Sequence, residues 1–337
     1  MKREEYLAEL KLKLEENDFG QVEEAIAYFS DLLEDRMADE GMDEEAAVAS
    51  LEAPARVASQ LREGQPGQGA QQPPQEDALK PGLRTITARA DLVRHIRVRD
   101  RNNRLTLIGE DREDIQIRHP ETEKVRYNFS LQDGSLALVR EEIRISFQLF
   151  VWDVARIPRE MREVEIRVPR ELAAELDLRT SNAKLTLENI ACWGGAEAVT
   201  SNAALTAHNL SGKSLMLKAS NGSMKLENVS ARSAIQAITS NARLTAERVS
   251  APSLVLKTSN ATLWVDGITS DDITLATSNG TIKGELPGSV NDYAISSGTS
   301  NAKNALPPMT TGGSRRLSAH TSNANINLWF SGKDQQG

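Results

Sequence analysis

Apolar and polar side chains alternate through the second half of the chain, and the alternation breaks at a fixed corner. The pair Ser-Asn recurs with its asparagine at 182, 202, 221, 241, 260, 279, 301 and 323, at spacings of 20, 19, 20, 19, 19, 22 and 22 residues. Six residues before each asparagine stands an apolar residue, from Leu176 and Ala196 to Ile295 and Leu317. Two before it stands Thr in every copy but one, where Ala219 replaces it. Three after it an apolar side chain follows, from Leu185 to Ile326, except at Asn304; further apolar positions come five and eight residues after. A period of two marks strands. Each repeat therefore predicts two short strands joined at Thr-Ser-Asn, forming one rung of a coil. A lone rung buries too little surface to offset its ordering entropy, so successive rungs must pair strand on strand, about 4.8 Å apart.

By strand parity the threonine and the asparagine share the inward face. The eight asparagines (Asn182, Asn202, Asn221, Asn241, Asn260, Asn279, Asn301 and Asn323) are then expected to form a buried structural ladder, amide bonded to amide. Asparagine also tolerates left-handed backbone angles, which suits a corner. A row of ligand-binding amides is the alternative, and eight identical positions fit architecture better. Shorter alternating segments at 96–98, 105–108, 115–117, 136–139 and 164–168 carry the β pattern back to Leu83. We read 83–170 as the β-rich N-terminal part of the solenoid and 171–330 as the Ser-Asn repeat. The fold class expected is mainly β: a repetitive, parallel β-helix-like solenoid of about eight rungs, with a small N-terminal α-helical domain.

The head of the chain has a different period. Tyr6, Leu7, Leu10 and Leu14 line one helix face, and Val22, Ile26, Phe29, Leu33 and Met37 a second, with Asn17-Asp18 as its expected cap. Ala47, Val48 and Leu51 mark a third helix, and Pro54 opens a fourth with Val57 and Leu61 inward. Residues 1–63 thus read as a helical domain. Residues 64–82, rich in Gly, Pro and Gln, read as a flexible linker.

Charge sharpens this division. Residues 1–63 carry 7 Lys+Arg against 18 Asp+Glu, whereas the rest is nearly neutral. Phosphate binding needs a concentrated basic surface, so nucleic acid is not an expected partner. The single cysteine, Cys192, rules out an internal disulfide. No apolar stretch has the length of a secretory signal core or a bilayer span, so no transmembrane segment is expected and the cytoplasm is the expected location.

Two resemblances add to this. The runs Glu4-Glu5-Tyr6-Leu7-Ala8-Glu9-Leu10, Tyr28-Phe29-Ser30-Asp31-Leu32-Leu33 and Leu51-Glu52-Ala53-Pro54-Ala55-Arg56-Val57 resemble the HAAS (DUF1700-like) signalling domain. That resemblance implies a small bacterial helical module that works with membrane or sensory partners. The Thr-Ser-Asn repeats, with the preceding Val164-Glu165-Ile166-Arg167-Val168-Pro169, resemble a DUF4097-like family of bacterial proteins named as adhesins. Ala usually stands after the asparagine where that family has Gly, which appears here only at 222 and 280. Neither resemblance implies catalytic residues.

A search for chemistry finds no phosphate-cradling glycine motif, zinc-ligand spacing or nucleophile elbow. No cofactor or metal is expected. His95, His119, His208 and His320 are scattered and read as lone surface residues, and Cys192 as buried filler. The outward position four after each asparagine holds no acidic cluster, and other acids such as Asp177, Glu188 and Glu227 read as single residues. Candidate partner contacts are Tyr28 and Phe29 in the head, and Phe147, Phe150 and Trp152 in the aromatic run 147–152. The expected function is a non-enzymatic adaptor or scaffold: the head binds a protein partner and the solenoid presents a recognition surface. The solenoid ends are candidates for self-association. The alternatives are an exported cell-surface adhesin binding glycan or protein, and, less favoured, a β-helix carbohydrate-active enzyme.

Overall fold

The structure is a computed structural model, and it describes residues 2–17, 19, 22–23, 25–26, 29–30, 33, 43–49, 51–63, 82–122, 125–141 and 162–332. Tyr28, Phe147, Phe150, Trp152 and residues 64–81 of the expected linker lie outside the described residues. Two compact units divide the chain: a helical one within the first 80 residues and a β unit that starts at Pro81. No helix among the described residues is long and apolar enough to cross a membrane.

In the helical unit, Arg3–Glu16 buries Tyr6, Leu10 and Leu14, one side chain per turn. The described residues between Val22 and Leu33 are helical, and helices follow at Glu44–Ala49 and Pro54–Glu63. Their core is Phe19, Ala25, Phe29, Leu33, Ala47, Val48, Val57 and Ala58 with the three residues of the first helix. The Tyr6 hydroxyl donates to the Glu52 carbonyl at 2.8 Å, tying the first helix to the turn before Pro54. Asp18 of the expected Asn17-Asp18 cap lies outside the described residues, and Asn17 is the C-cap of the first helix. Its N–H reaches the Leu14 carbonyl, and its Nδ2 donates to the Lys13 carbonyl at 2.6 Å.

Among the described residues the β unit is one continuous sheet of 21 strands wound into a coil. A typical rung begins with a strand such as β9 (Glu175–Arg179), turns at Thr180-Ser181-Asn182, and continues as β10 (Leu185–Cys192). Leu176 and Leu178 point in before the corner, and Leu185 and Leu187 after it, all essentially without exposure. The next rungs stack in parallel register, for example Leu176↔Ala196 and Leu185↔Leu205.

The five rungs of Asn182, Asn202, Asn221, Asn241 and Asn260 have three sides rather than the two expected. Seven residues after the corner asparagine the backbone turns left-handed, at Asn189 (φ 59), Asn209 (50), Asn228 (54), Arg248 (53) and Gly267 (61). Behind this bend Ile190, Leu210, Val229, Val249 and Ile268 turn inward, and a short third ladder pairs Ala191 with Ser211, and Ser211 with Ser230. The left-handed requirement therefore belongs to the second bend. None of the eight Ser-Asn asparagines has positive φ. Nor does Gly222 or Gly280. Glycine stands there because a Cβ would lie 1.7 Å from the carbonyl oxygen of Ala203 or Ala261 in the rung below.

At the N-terminal end, the strands expected at 96–98 and 105–108 form a rung that precedes the first repeat. β2 (His95–Arg99) and β3 (Arg104–Glu110) flank the corner Asp100-Arg101-Asn102 and pair with β9 and β10. Outside them lie β6 (Ser135–Arg140) on β2 and β7 (Glu163–Pro169) on β3. Antiparallel strands then close this end: β5 (Tyr127–Gln132) on β6 through the left-handed turn Asp133-Gly134, and β4 (Asp114–Glu121) on β7 with β1 (Gly82–Arg89) beyond it.

Candidate functional site

The corner works as two nested devices. Its threonine is buried, and the hydroxyl donates to carbonyls of the rung below: Thr239 to Gly222 at 3.0 Å, Thr258 to Ala242 at 3.1 Å and Thr321 to Gly280 at 3.2 Å. The asparagine backbone N–H donates to the serine carbonyl of the rung below, as in Asn202 to Ser181 at 2.8 Å. The amide side chains point outward, correcting the expected inward face: Asn182 and Asn202 are half-buried and the other six exposed. Threonine and asparagine are thus on opposite sides of the turn, because the corner departs from strand geometry and parity does not carry through it.

Each amide still bonds to the next. Asn202 Nδ2 donates to Asn182 Oδ1 at 2.8 Å, Asn221 to Asn202 at 2.8 Å, Asn241 to Asn221 at 2.6 Å, Asn260 to Asn241 at 2.6 Å and Asn279 to Asn260 at 2.8 Å. The ladder begins one rung earlier than the repeat, since Asn182 donates to Asn102 Oδ1 at 2.9 Å. Each interior amide gives one N–H and one oxygen lone pair to its neighbours, which makes the row a continuous hydrogen-bonded ladder. A second, shorter ladder runs along the left-handed bend: Asn209 to Asn189 at 2.8 Å, Asn228 to Asn209 at 3.0 Å, and Arg248 Nε to Asn228 at 2.5 Å.

At the Asn102 rung a buried polar network replaces the threonine. The Asp100 carboxylate accepts the N–H groups of Arg101, Asn102 and Asn103 at 2.6, 2.8 and 2.7 Å. It also accepts the Tyr127 hydroxyl and stands 3.5 Å from an Arg140 guanidinium nitrogen. Burial, with the Asp100 charge beside it, drives the Tyr127 pKa up, so the phenol stays a donor. His119 is buried edge-on to Tyr127, with ring centroids 4.9 Å apart, and is not the surface histidine expected; burial lowers its pKa.

The outer faces carry ordered columns. Before the corner, Asp177 meets Arg97, Arg99 and Arg179, and Arg179 reaches Glu197 at 3.0 Å. Burial opposes the Asp177 charge, and the Arg99 and Arg179 guanidiniums outweigh it, holding the carboxyl below its ordinary value. After the corner, register aligns Glu188, His208, Glu227, Glu247, Asp266 and Glu285 one above another. Acids that read as single along the sequence are thus a column on the surface. Lys225 and Arg248 hold Glu227 at 3.0 and 2.7 Å. At the far end Trp329 Nε1 donates to Glu285 at 3.0 Å, Trp329 meets Trp264 edge-on, and Lys283 Nζ lies 5.0 Å from the Trp264 ring centroid. Among the described residues no group of three His, Cys, Asp or Glu side chains is placed to hold a metal ion. On the third side a shallow groove of about 270 Å³ runs over Ala191, Ser211, Ser230 and Ser250, walled by Trp193 and Arg232. Cys192 beneath it is buried, and burial pushes its thiol up to about 11.

Phe29, expected as a partner contact, is 4% exposed and packs its ring 6.3 Å from that of Tyr6 in the helical core. Of the other residues singled out in the sequence, the structure brings together the asparagines and, in the outer column, Glu188, His208 and Glu227. Those it adds are Asn102, Asp100, Tyr127 and Arg140, which no Ser-Asn signal marked.

The fold and its corners define a class: a three-sided β-solenoid stapled by threonine hydroxyls and asparagine amides. The chain belongs to the Toastrack DUF4097 family, whose model matches residues 93–328. The match leaves the helical unit outside it. No curated protein matches the chain. A solved structure of a putative cell adhesion protein from Clostridium sporogenes is similar over 75% of this chain and 100% of that one, at 10% identity and a TM-score of 0.24, a value too low to bear on fold or function here.

Proposed function

We propose that the chain is a non-enzymatic recognition scaffold: the solenoid offers a rigid outer surface to a macromolecular ligand, and the helical unit takes a protein partner in the cytoplasm. The observation that carries this is the unbroken ladder from Asn102 to Asn279, which fixes the outer columns at one rung spacing. A surface held this way pays little ordering entropy on binding. The partner of the helical unit meets the exposed stripe Glu5, Glu9, Leu12 and Glu16 rather than the buried Phe29. A HAAS-like signalling role for this unit is part of the proposal.

Affinity capture from the native cell tests it, with the full chain, a chain lacking 1–63, and the full chain carrying Leu12→Glu with Glu9→Lys. Loss of the same partner in both altered chains supports the adaptor role; unchanged capture overturns it. A second reading, an exported surface adhesin, is favoured by the exposed Trp193 and Trp329 on the outer faces. Cell fractionation separates the two: chain recovered outside the cytoplasm replaces the adaptor with the adhesin.

A further inference from the structure

At the C-terminal end the order of the rungs departs from the order of the chain. β17 (Asp272–Ala276) pairs with β20 (Arg315–Thr321) through Ile273↔Leu317, and the other edge of β20 pairs with β19 (Tyr293–Thr299) through Ile295↔Leu317. The amides agree: Asn323 donates to Asn279 at 2.6 Å, and Asn301 donates to Asn323 at 2.6 Å. The last segment, Arg315–Phe330, is threaded between two rungs that both precede it in sequence.

The two segments carry the same key. The Thr321 hydroxyl donates to the carbonyls of Ser278 and Gly280, and the Thr299 hydroxyl makes the matching pair of bonds to Ser322 and Ala324. Either corner can therefore seat on the Asn279 rung. Their interiors differ. Arg315–Phe330 brings Leu317, Ala319, Ile326 and Leu328, all buried. Tyr293–Leu306 brings Ser297 and Asn304 to positions that are apolar in other rungs, and these satisfy each other: Asn304 Nδ2 donates to Ser297 Oγ at 2.9 Å, and Ser297 Oγ donates to the Pro307 carbonyl at 2.8 Å. A polar interior serves an end and weakens a middle, because an apolar rung above it would leave these groups in a dry core. During N-to-C synthesis the polar segment reaches the open edge first.

We propose that the open edge of the Asn279 rung is a strand-acceptor site, which Tyr293–Asn304 occupies first and which Arg315–Phe330 then takes by displacement, remaining as an exchangeable insert. This goes beyond the scaffold role and does not depend on it. A protease site placed at Gly312, where an added Cβ meets nothing within 4 Å, allows the folded full chain to be cut just before the insert. A fluorescent peptide of residues 315–337 is then expected to replace the native segment, one per chain, and the same peptide with Thr321→Val and Asn323→Ala to compete poorly. In the uncut chain, an Asn279→Cys/Asn323→Cys pair is expected to cross-link at equilibrium. An Asn279→Cys/Asn301→Cys pair stands two rungs apart, roughly 9.6 Å, too far for a disulfide. It should cross-link only when oxidised early in refolding. Failure of the peptide to enter, release of the segment only with unfolding of the whole solenoid, or absence of the early cross-link would each overturn the proposal.

Discussion

The asparagine ladder yields a prediction whose size follows from counting bonds. Asn241 lies in the middle: its Nδ2 donates to Asn221, and its Oδ1 accepts from Asn260, both at 2.6 Å. Asn301 lies at the end and donates only to Asn323. The backbone bond of Asn241 to the Ser220 carbonyl, 3.0 Å, survives truncation to alanine, so Asn241→Ala removes the ladder and little else. A net hydrogen bond contributes about 0.5–1.5 kcal/mol. Asn241→Ala should therefore cost about 1–3 kcal/mol and Asn301→Ala about half as much. Asn241→Ala with Asn260→Ala tests the same logic. Each single change removes two bonds but one is shared, so the double variant should fall short of additivity by about one bond, roughly 0.5–1.5 kcal/mol. The assay is urea unfolding of the full chain, followed by far-UV circular dichroism, with stability compared at constant slope. Equal costs at 241 and 301, or strict additivity of the neighbouring pair, would refute the ladder as a source of stability.

Two further outcomes are expected. Gly222→Ala should destabilise the solenoid by about 1–3 kcal/mol, because its Cβ collides with the Ala203 carbonyl; an unchanged melting temperature would show that the rungs can part at no cost. Burial raises the Cys192 thiol from 9.0 to about 11. The fold therefore favours the neutral thiol, and its stabilisation is fully present below pH 9 and lost as pH rises through about 11. Cys192→Ala should flatten that alkaline loss, and at pH 8 the native thiol should react with a disulfide reagent only as fast as the chain opens; labelling at the rate of a free thiol would contradict this.

The sequence made the coil legible because its signal is repeated. Leu185, Leu205, Met224, Leu244, Leu263 and Ile282 stand at one offset from the corner and sit in one buried column. The third side was not read, although Ile190, Leu210 and Val229 were visible, because a left-handed bend is occupied by Asn, Arg and Gly in turn and so leaves no single letter. The acidic column was hidden for another reason. Glu227, Glu247, Asp266 and Glu285 are far apart along the chain, and only rung register makes them neighbours. In the head, period 3.6 found the buried face, but an aromatic on that face is drawn into the core before it can serve a partner, as Phe29 shows.

The out-of-order rung shows what a repeat signal leaves open. Corner residues specify that one rung fits another, and Thr299-Ser300-Asn301 and Thr321-Ser322-Asn323 say this equally well. Order must then come from what differs between copies. Asn304, which stands where other repeats carry an apolar residue, and Ser297, four residues before the corner, make one rung unable to bear a dry neighbour on both sides. Leu317 and Ala319 make the other able to. An end rung is thus encoded by the polarity of its interior rather than by its place in the chain, and a solenoid whose last two corners are alike can be terminated from within its own sequence.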